Sequence, residues 1–251
     1  MLVVEGVSKC FSRGGECVVA LNDVSFQVGC GEIVMVVGGS LDGKSTLLQV
    51  AAGVERPDKG TVSLGDRRLT GLSDRCRARL LGREIVWIDR DGPGLEVEVS
   101  RFVGWPLTLH GHGRRQAERV AAQILARVGM REHAGRKWGD LSHRQQVSVG
   151  LARAFAGSPR LVIIDDLLNG LGGRATEETI DLLRALTKES EHRSGVLLSV
   201  SEMEATVFAD RVLSIYKGAV EPMTGLKEND AEVIPFPRQD ERRGSRGVGI
   251  P

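Results

Sequence analysis

Gly38-Gly39-Ser40-Leu41-Asp42-Gly43-Lys44-Ser45-Thr46 carries the spacing G-x-x-x-x-G-K-S. A glycine-rich turn of this kind aims successive backbone N–H groups at a phosphate. Lys44 would reach the outer phosphates, and Ser45 would offer its hydroxyl to a magnesium ion. The loop also holds two misfits. Leu41 adds bulk where backbone must come close, and Asp42 sets a carboxylate among groups meant for an anion. Two like charges about 4 Å apart repel by about 4 kcal/mol at an effective dielectric of ~20. Asp165-Asp166 sets two acids at the end of an apolar run of strand length. Ser142-His143-Arg144-Gln145 has the S-x-x-Q spacing of a capping box. A chance run of Gly, Ser and Lys is the alternative reading of the loop, and the flanking segments argue against it.

Those flanks are a strand and a helix. Ile33 to Val37 is an unbroken apolar run, as expected of a buried parallel strand. Leu47, Leu48, Val50, Ala51 and Ala52 suit a buried helix ending at Gly53. Leu2 to Val28 alternates as two strands around the polar loop Ser12–Glu16. Ile85–Ile88, Leu161–Ile164, Val196–Val200 and Arg211–Ile215 read as further strands. Between them lie helices over Gln145–Phe155 and Thr176–Lys188, and an apolar helical face made by Ala117, Val120, Ala121, Ile124, Leu125 and Val128. Strands alternating with helices predict an α/β fold with a mostly parallel sheet, preceded by an antiparallel N-terminal portion.

The chain has 251 residues and a net charge of +1, so composition predicts no general attraction to nucleic acid or anionic lipid. The basic stretches Arg75–Arg79 and Arg114-Arg115 read as solvated helix faces. Cys10, Cys17, Cys30 and Cys76 lack metal-type pairing and read as scattered reduced thiols of a cytosolic protein, although Cys10 and Cys17 could flank a hairpin. No apolar run reaches membrane-spanning length, and Met1–Glu5 reads as a strand rather than a secretory signal. Residues 229–251, charged and poor in apolar side chains, are expected to be flexible.

The phosphate loop, the segment Leu141-Ser142-His143-Arg144-Gln145 and the strand ending Asp165-Asp166, in this order, resemble the nucleotide-binding subunit of an ABC transporter. The resemblance runs from about Leu2 to Met223. Ala20–Phe26 and Ala209–Leu213 look like the lipoprotein-releasing and macrolide-exporter branch. It implies an ABC-type nucleotide-binding domain over 1–228, with a RecA-like core at about 1–90 and 157–228 and a helical lobe at about 91–156. It further implies ATP and Mg2+ as ligands. Each nucleotide would lie between one subunit's phosphate loop and the other's signature segment, with the helical lobe coupled to membrane-spanning subunits at the inner face of the cell membrane.

Against the family pattern, this sequence departs at several positions. Phe11 stands where an aromatic stacks on adenine, and a core phenylalanine is the other reading. Arg90 replaces a glutamine that contacts magnesium and water. It brings five donors and no acceptor, to bind phosphate, to pair with Asp42 or Asp165, or to face solvent. His143 and Arg144 replace signature glycines, and Arg144 could contact phosphate or neutralise Asp42 of an opposing subunit. Asp165 matches the acid that holds magnesium through water. Asp166 replaces the catalytic glutamate and is shorter by about 1.5 Å. Ser201 replaces the histidine on the γ-phosphate, Gly172 an aspartate that bridges subunits, and Leu167-Leu168 a Pro-Thr pair. The resemblance therefore implies a degenerate, weakly hydrolysing or non-hydrolysing subunit paired with an intact relative. A structural or regulatory pseudo-ATPase and a slow homodimer are the alternatives. A DNA-repair or translation ABC protein is disfavoured, because the chain has one cassette and no basic excess.

Overall fold

A computed structural model describes residues 1–89, 92–201 and 203–223. Arg90 and the whole of 229–251 lie outside the described residues. Chain order begins with β1 (Leu2–Arg13), β2 (Glu16–Val28), β3 (Ile33–Val37) and α1 (Lys44–Ala51). β4 (Lys59–Leu64), β5 (Arg67–Arg68), α2 (Asp74–Leu80) and β6 (Ile85–Ile88) follow. Three helices come next, α3 (Val99–Leu109), α4 (Arg114–Arg127) and α5 (His143–Phe155). The chain then continues through β7 (Leu161–Ile164), α6 (Gly173–Glu189), β8 (Gly195–Val200), β9 (Arg211–Tyr216) and β10 (Ala219–Pro222).

The strands form two sheets. One is antiparallel, ordered β2-β1-β4-β5; the other is ordered β10-β9-β3-β8-β7-β6 and is parallel except for β10. Central strands β3, β7 and β8 are buried along their whole length, which explains their unbroken apolar sequences. Side chains alternate between faces. Ile33, Met35 and Val37 enter a core shared with α3, α4, α5 and α6, while Val34 and Val36 enter a second core shared with α1 and the antiparallel sheet. In the helical group, Phe102 meets Trp138 edge-on with ring centroids 5.0 Å apart.

Cysteine usage needs one correction. β1 and β2 place Cys10 opposite Val19 and Ser12 opposite Cys17, so the two cysteines are diagonal neighbours on one face of the hairpin. Their Cα atoms are 5.9 Å apart and they form a disulfide, inside the span of roughly 4.4–6.8 Å that such a bridge requires. Cys30 and Cys76 are free and exposed. No helix of the described residues is long and apolar enough to cross a membrane.

Candidate functional site

Parallel strands deliver their carboxyl ends to one edge of the sheet, where open α/β folds place ligands. Val37 is level with Val200, and Ile164 with Leu198. The turn at Gly38, the acids Asp165 and Asp166 and the hydroxyl of Ser201 therefore gather at that edge. The phosphate loop is wedged between neighbours. A Cβ on Gly38 would sit 2.4 Å from the Ile215 carbonyl oxygen, and one on Gly43, at φ 104°, would sit 2.4 Å from the Ala20 carbonyl oxygen. These two glycines are required by backbone contact. Gly39 is half-buried and Ser40 exposed. Leu41 is 100% exposed at φ 70°, a left-handed conformation costly for a branched side chain.

α1 starts from this loop with no side-chain cap and no acid in its first turn, so the N–H groups of Lys44, Ser45 and Thr46 open a helix end suited to an anion. Lys44 Nζ donates to the Gly38 and Gly39 carbonyls at 2.7 and 2.8 Å. Asp42 behaves differently from expectation. Its carboxylate accepts from Gly39 N–H at 2.7 Å and from Lys217 N–H at 3.1 Å, while its carbonyl accepts from Gly218 N–H at 3.0 Å. The side chain expected to repel phosphate, or to seek an arginine, clasps the loop to the β9–β10 turn. Arg144, its expected partner across an interface, is ion-paired within the chain to Glu178, which also pairs with Arg174.

The strand-end acids form a second cluster. Asp165 accepts a 2.7 Å bond from Ser199 Oγ, and that oxygen accepts from Asp166 N–H at 2.9 Å. Asp166 lies at φ 57°. A proline at 167 would push residue 166 into an extended conformation; Leu167 leaves the left-handed angle open. The Asp166 carboxylate receives Asn169 Nδ2 and, at 3.4 Å, Ser201 Oγ, while Asn169 also donates to Ser201 Oγ at 3.3 Å. Asn169 is a member of the site that sequence reading missed; its signal is a polar amide three residues after the acid in a turn. Among the described residues no group of three or more His, Cys, Asp or Glu gathers as a metal site. Magnesium here would need oxygens from a nucleotide beside those of Ser45 and Asp165.

The signature segment is built as expected at its cap. Ser142 Oγ accepts from Gln145 N–H, and Gln145 Oε1 accepts from Ser142 N–H at 2.9 Å. The side-chain amide of Gln145 also meets His133 Nε2 at 2.6 Å. His143 and Arg144 are exposed in the first turn of α5. Phe11 is 39% exposed with the Lys9 ammonium 5.1 Å from its ring centroid, so it is no part of a core. Gly172 takes φ 77° and ψ 154°, a region essentially reserved for glycine. An aspartate could not simply be placed on this backbone.

Residues 21–169, more than half the chain, match the family profile described as ABC transporter. The lipoprotein-releasing system ATP-binding protein LolD of Cereibacter sphaeroides is 33% identical over 223 residues, covering 88% of this chain and 98% of LolD. The methionine import ATP-binding protein MetN of Caulobacter vibrioides is 33% identical over 229 residues, covering 88% of this chain and 68% of MetN. In fold, the dimeric ATP-binding cassette MJ0796, in a post-hydrolysis state bound to ADP and Pi, superposes with a TM-score of 0.78 at 24% identity, over 91% of this chain and 100% of that one. By sequence and by fold, the chain is a member of the ABC transporter ATP-binding family, and the lipoprotein-releasing ATP-binding proteins are among its relatives.

Proposed function

We propose that this ABC transporter subunit binds ATP with Mg2+ at its own phosphate loop, hydrolyses it weakly or not at all, and works beside an intact nucleotide-binding partner. The observation that carries the reading is the Asp166–Asn169–Ser201 cluster: the acid offered to water has its Oδ1 taken by both an amide and a hydroxyl. A base one methylene short and turned to other partners forfeits much of the ~10²–10⁴ that general base catalysis contributes. The groups that would hold nucleotide are Phe11, the N–H groups of residues 38–46, Lys44 and Ser45, with Asp165 beside them and residues 142–145 facing the partner's site. Bound magnesium would offset phosphate charge. We read the chain as a core of about 1–90 and 157–228 with a helical lobe of about 91–156. Its groove of about 660 Å³, between α2–β6 and α3–α5 and bordered by Leu81, Trp87, Leu109 and Arg153, would meet membrane-spanning subunits at the inner membrane face.

The test titrates Mg·ATP into the full chain, then measures turnover alone and with an intact relative. Binding with slow turnover alone, and faster turnover in the mixture, is expected. Turnover of about 1 s⁻¹ or more by the chain alone, within the ordinary range of enzymes, would reject the reading. The second reading, a docking scaffold indifferent to nucleotide, draws on the loop's own closure. Lys44 and Asp42 both bond to loop backbone and hold its shape from within the chain. Failure to bind any nucleotide would favour it.

A further inference from the structure

Beyond Ser8 the N-terminal strand leaves its second neighbour. β1 pairs with β4 as far as Ser8 opposite Lys59, and from Lys9 to Arg13 it pairs with β2. Register shifts fall between Val7 and Lys9 and between Lys9 and Cys10. The base of this ribbon is anchored, since Lys9 pairs with Glu55 at 2.6 Å and Cys10 N–H donates to Asp58 at 2.7 Å. Past that base the hairpin is two-stranded, and such ribbons are marginal on their own. Cys10 and Cys17 cross-link it there, and the closed ring contains Phe11. Phe11 sits opposite Val18, two residues before Ala20, whose carbonyl abuts Gly43 of the phosphate loop. Two residues of strand span roughly 7 Å, so the ring is held beside the site.

We propose that Cys10 and Cys17 are a reversible dithiol–disulfide pair that sets how tightly the base end of a nucleotide is held at Phe11. This rests on the nucleotide-binding reading above. The bridge forms by exchange with a small-molecule disulfide. One thiolate attacks it and releases a thiol, then the second cysteine displaces the other half, for a net yield of one protein disulfide and two small thiols. Bridged, the ribbon has less freedom to lose when a base stacks on Phe11, so nucleotide binding costs less ordering. Reduced, the two strands part more readily beyond the anchored base and the ring is less well placed.

The full chain is equilibrated in defined mixtures of reduced and oxidised glutathione, and free thiols are counted by maleimide mass shift. Affinity is then read by calorimetry for Mg·ATP and for Mg·tripolyphosphate, which lacks the base. The bridged form should show two fewer thiols and bind Mg·ATP about three- to tenfold more tightly, the size of ordering one or two side chains. Tripolyphosphate affinity should be the same in both forms. The Cys10→Ser/Cys17→Ser variant should bind as the reduced form does in every mixture. Equal ATP affinity in the two forms overturns the proposal, as does a parallel shift for tripolyphosphate, or a full thiol count under oxidising mixtures. Loss of nucleotide binding in both forms also overturns it, and thiol counts that still differ by two would place that failure in the nucleotide reading rather than in the bridge.

Discussion

Replacing Asp42 with serine removes two carboxylate acceptors at once, one on Gly39 N–H and one on Lys217 N–H. A hydrogen bond to a charged group contributes about 1.5–3 kcal/mol when lost from a buried setting. Asp42 is half-buried, so the pair is assigned about 2 kcal/mol in total. For a chain of this size, that is ~4–8 °C in melting temperature. Affinity should move the other way. A carboxylate in the loop opposes a phosphate charge by about 4 kcal/mol at a separation of ~4 Å and an effective dielectric of ~20, and by less farther away. Removing it should therefore tighten Mg·ATP binding about tenfold or more. Asp42→Asn separates the two effects: it discharges the residue but can still accept one of the two bonds, so it should gain most of the affinity with less loss of stability. Differential scanning fluorimetry with and without Mg·ATP, followed by calorimetry, reads both quantities. If Asp42→Ser lowers stability and affinity together, the clasp shapes the loop for phosphate and the repulsion argument is refuted.

Gly172→Asp puts a side chain at φ 77° and ψ 154° and should cost about 1–3 kcal/mol; an unchanged melting temperature would show that the turn relaxes freely. Asp166→Glu alone leaves residue 166 at a left-handed angle, whereas adding Leu167→Pro should drive it extended. Turnover by the double variant, assayed with an intact partner, is expected to exceed the sum of the single effects. Burial, then the charges of Arg83 and His112, hold the His110 imidazole below its ordinary pKa. The unfolded chain thus takes up a proton near pH 6.5 that the folded chain resists, so stability should fall as pH drops through that range and be fully present above it. His110→Gln should flatten this slope in melting curves taken from pH 5 to 7.5, and an unchanged slope would sink the assignment.

How much of this is legible in the sequence depends on how local the cause is. β3, β7 and β8 announce themselves because both faces are buried and every residue must be apolar. α5 is visible through its capping box, which spans three residues. α3 escapes notice because Gly104 and Pro106 interrupt its periodic residues Val99, Phe102, Val103 and Leu107. α2 escapes as well, since Leu80 is its one buried residue. At the site, the loop and the two acids are legible as spacing. The partners of Asp42 are not, because Lys217 lies 175 positions away. Nor is the role of Asn169, which depends on the left-handed turn at Asp166. The bridge between Cys10 and Cys17 depends on the register that pairs Arg13 with Glu16 across the two-residue turn Gly14-Gly15, which composition does not encode.

The alternation of β3 has a mechanical side. Ile33, Met35 and Val37 face one core while Val34 and Val36 face the other, so the strand is a party wall between two rooms, and the phosphate loop is hung on its end. A push from either room reaches the loop through the same residue, Gly38. Hollowing one room leaves the other furnished. Met35→Ala would loosen the wall toward the helices, and Val36→Ala toward the antiparallel sheet. The two sides can thus be slackened one at a time to learn which of them the loop listens to.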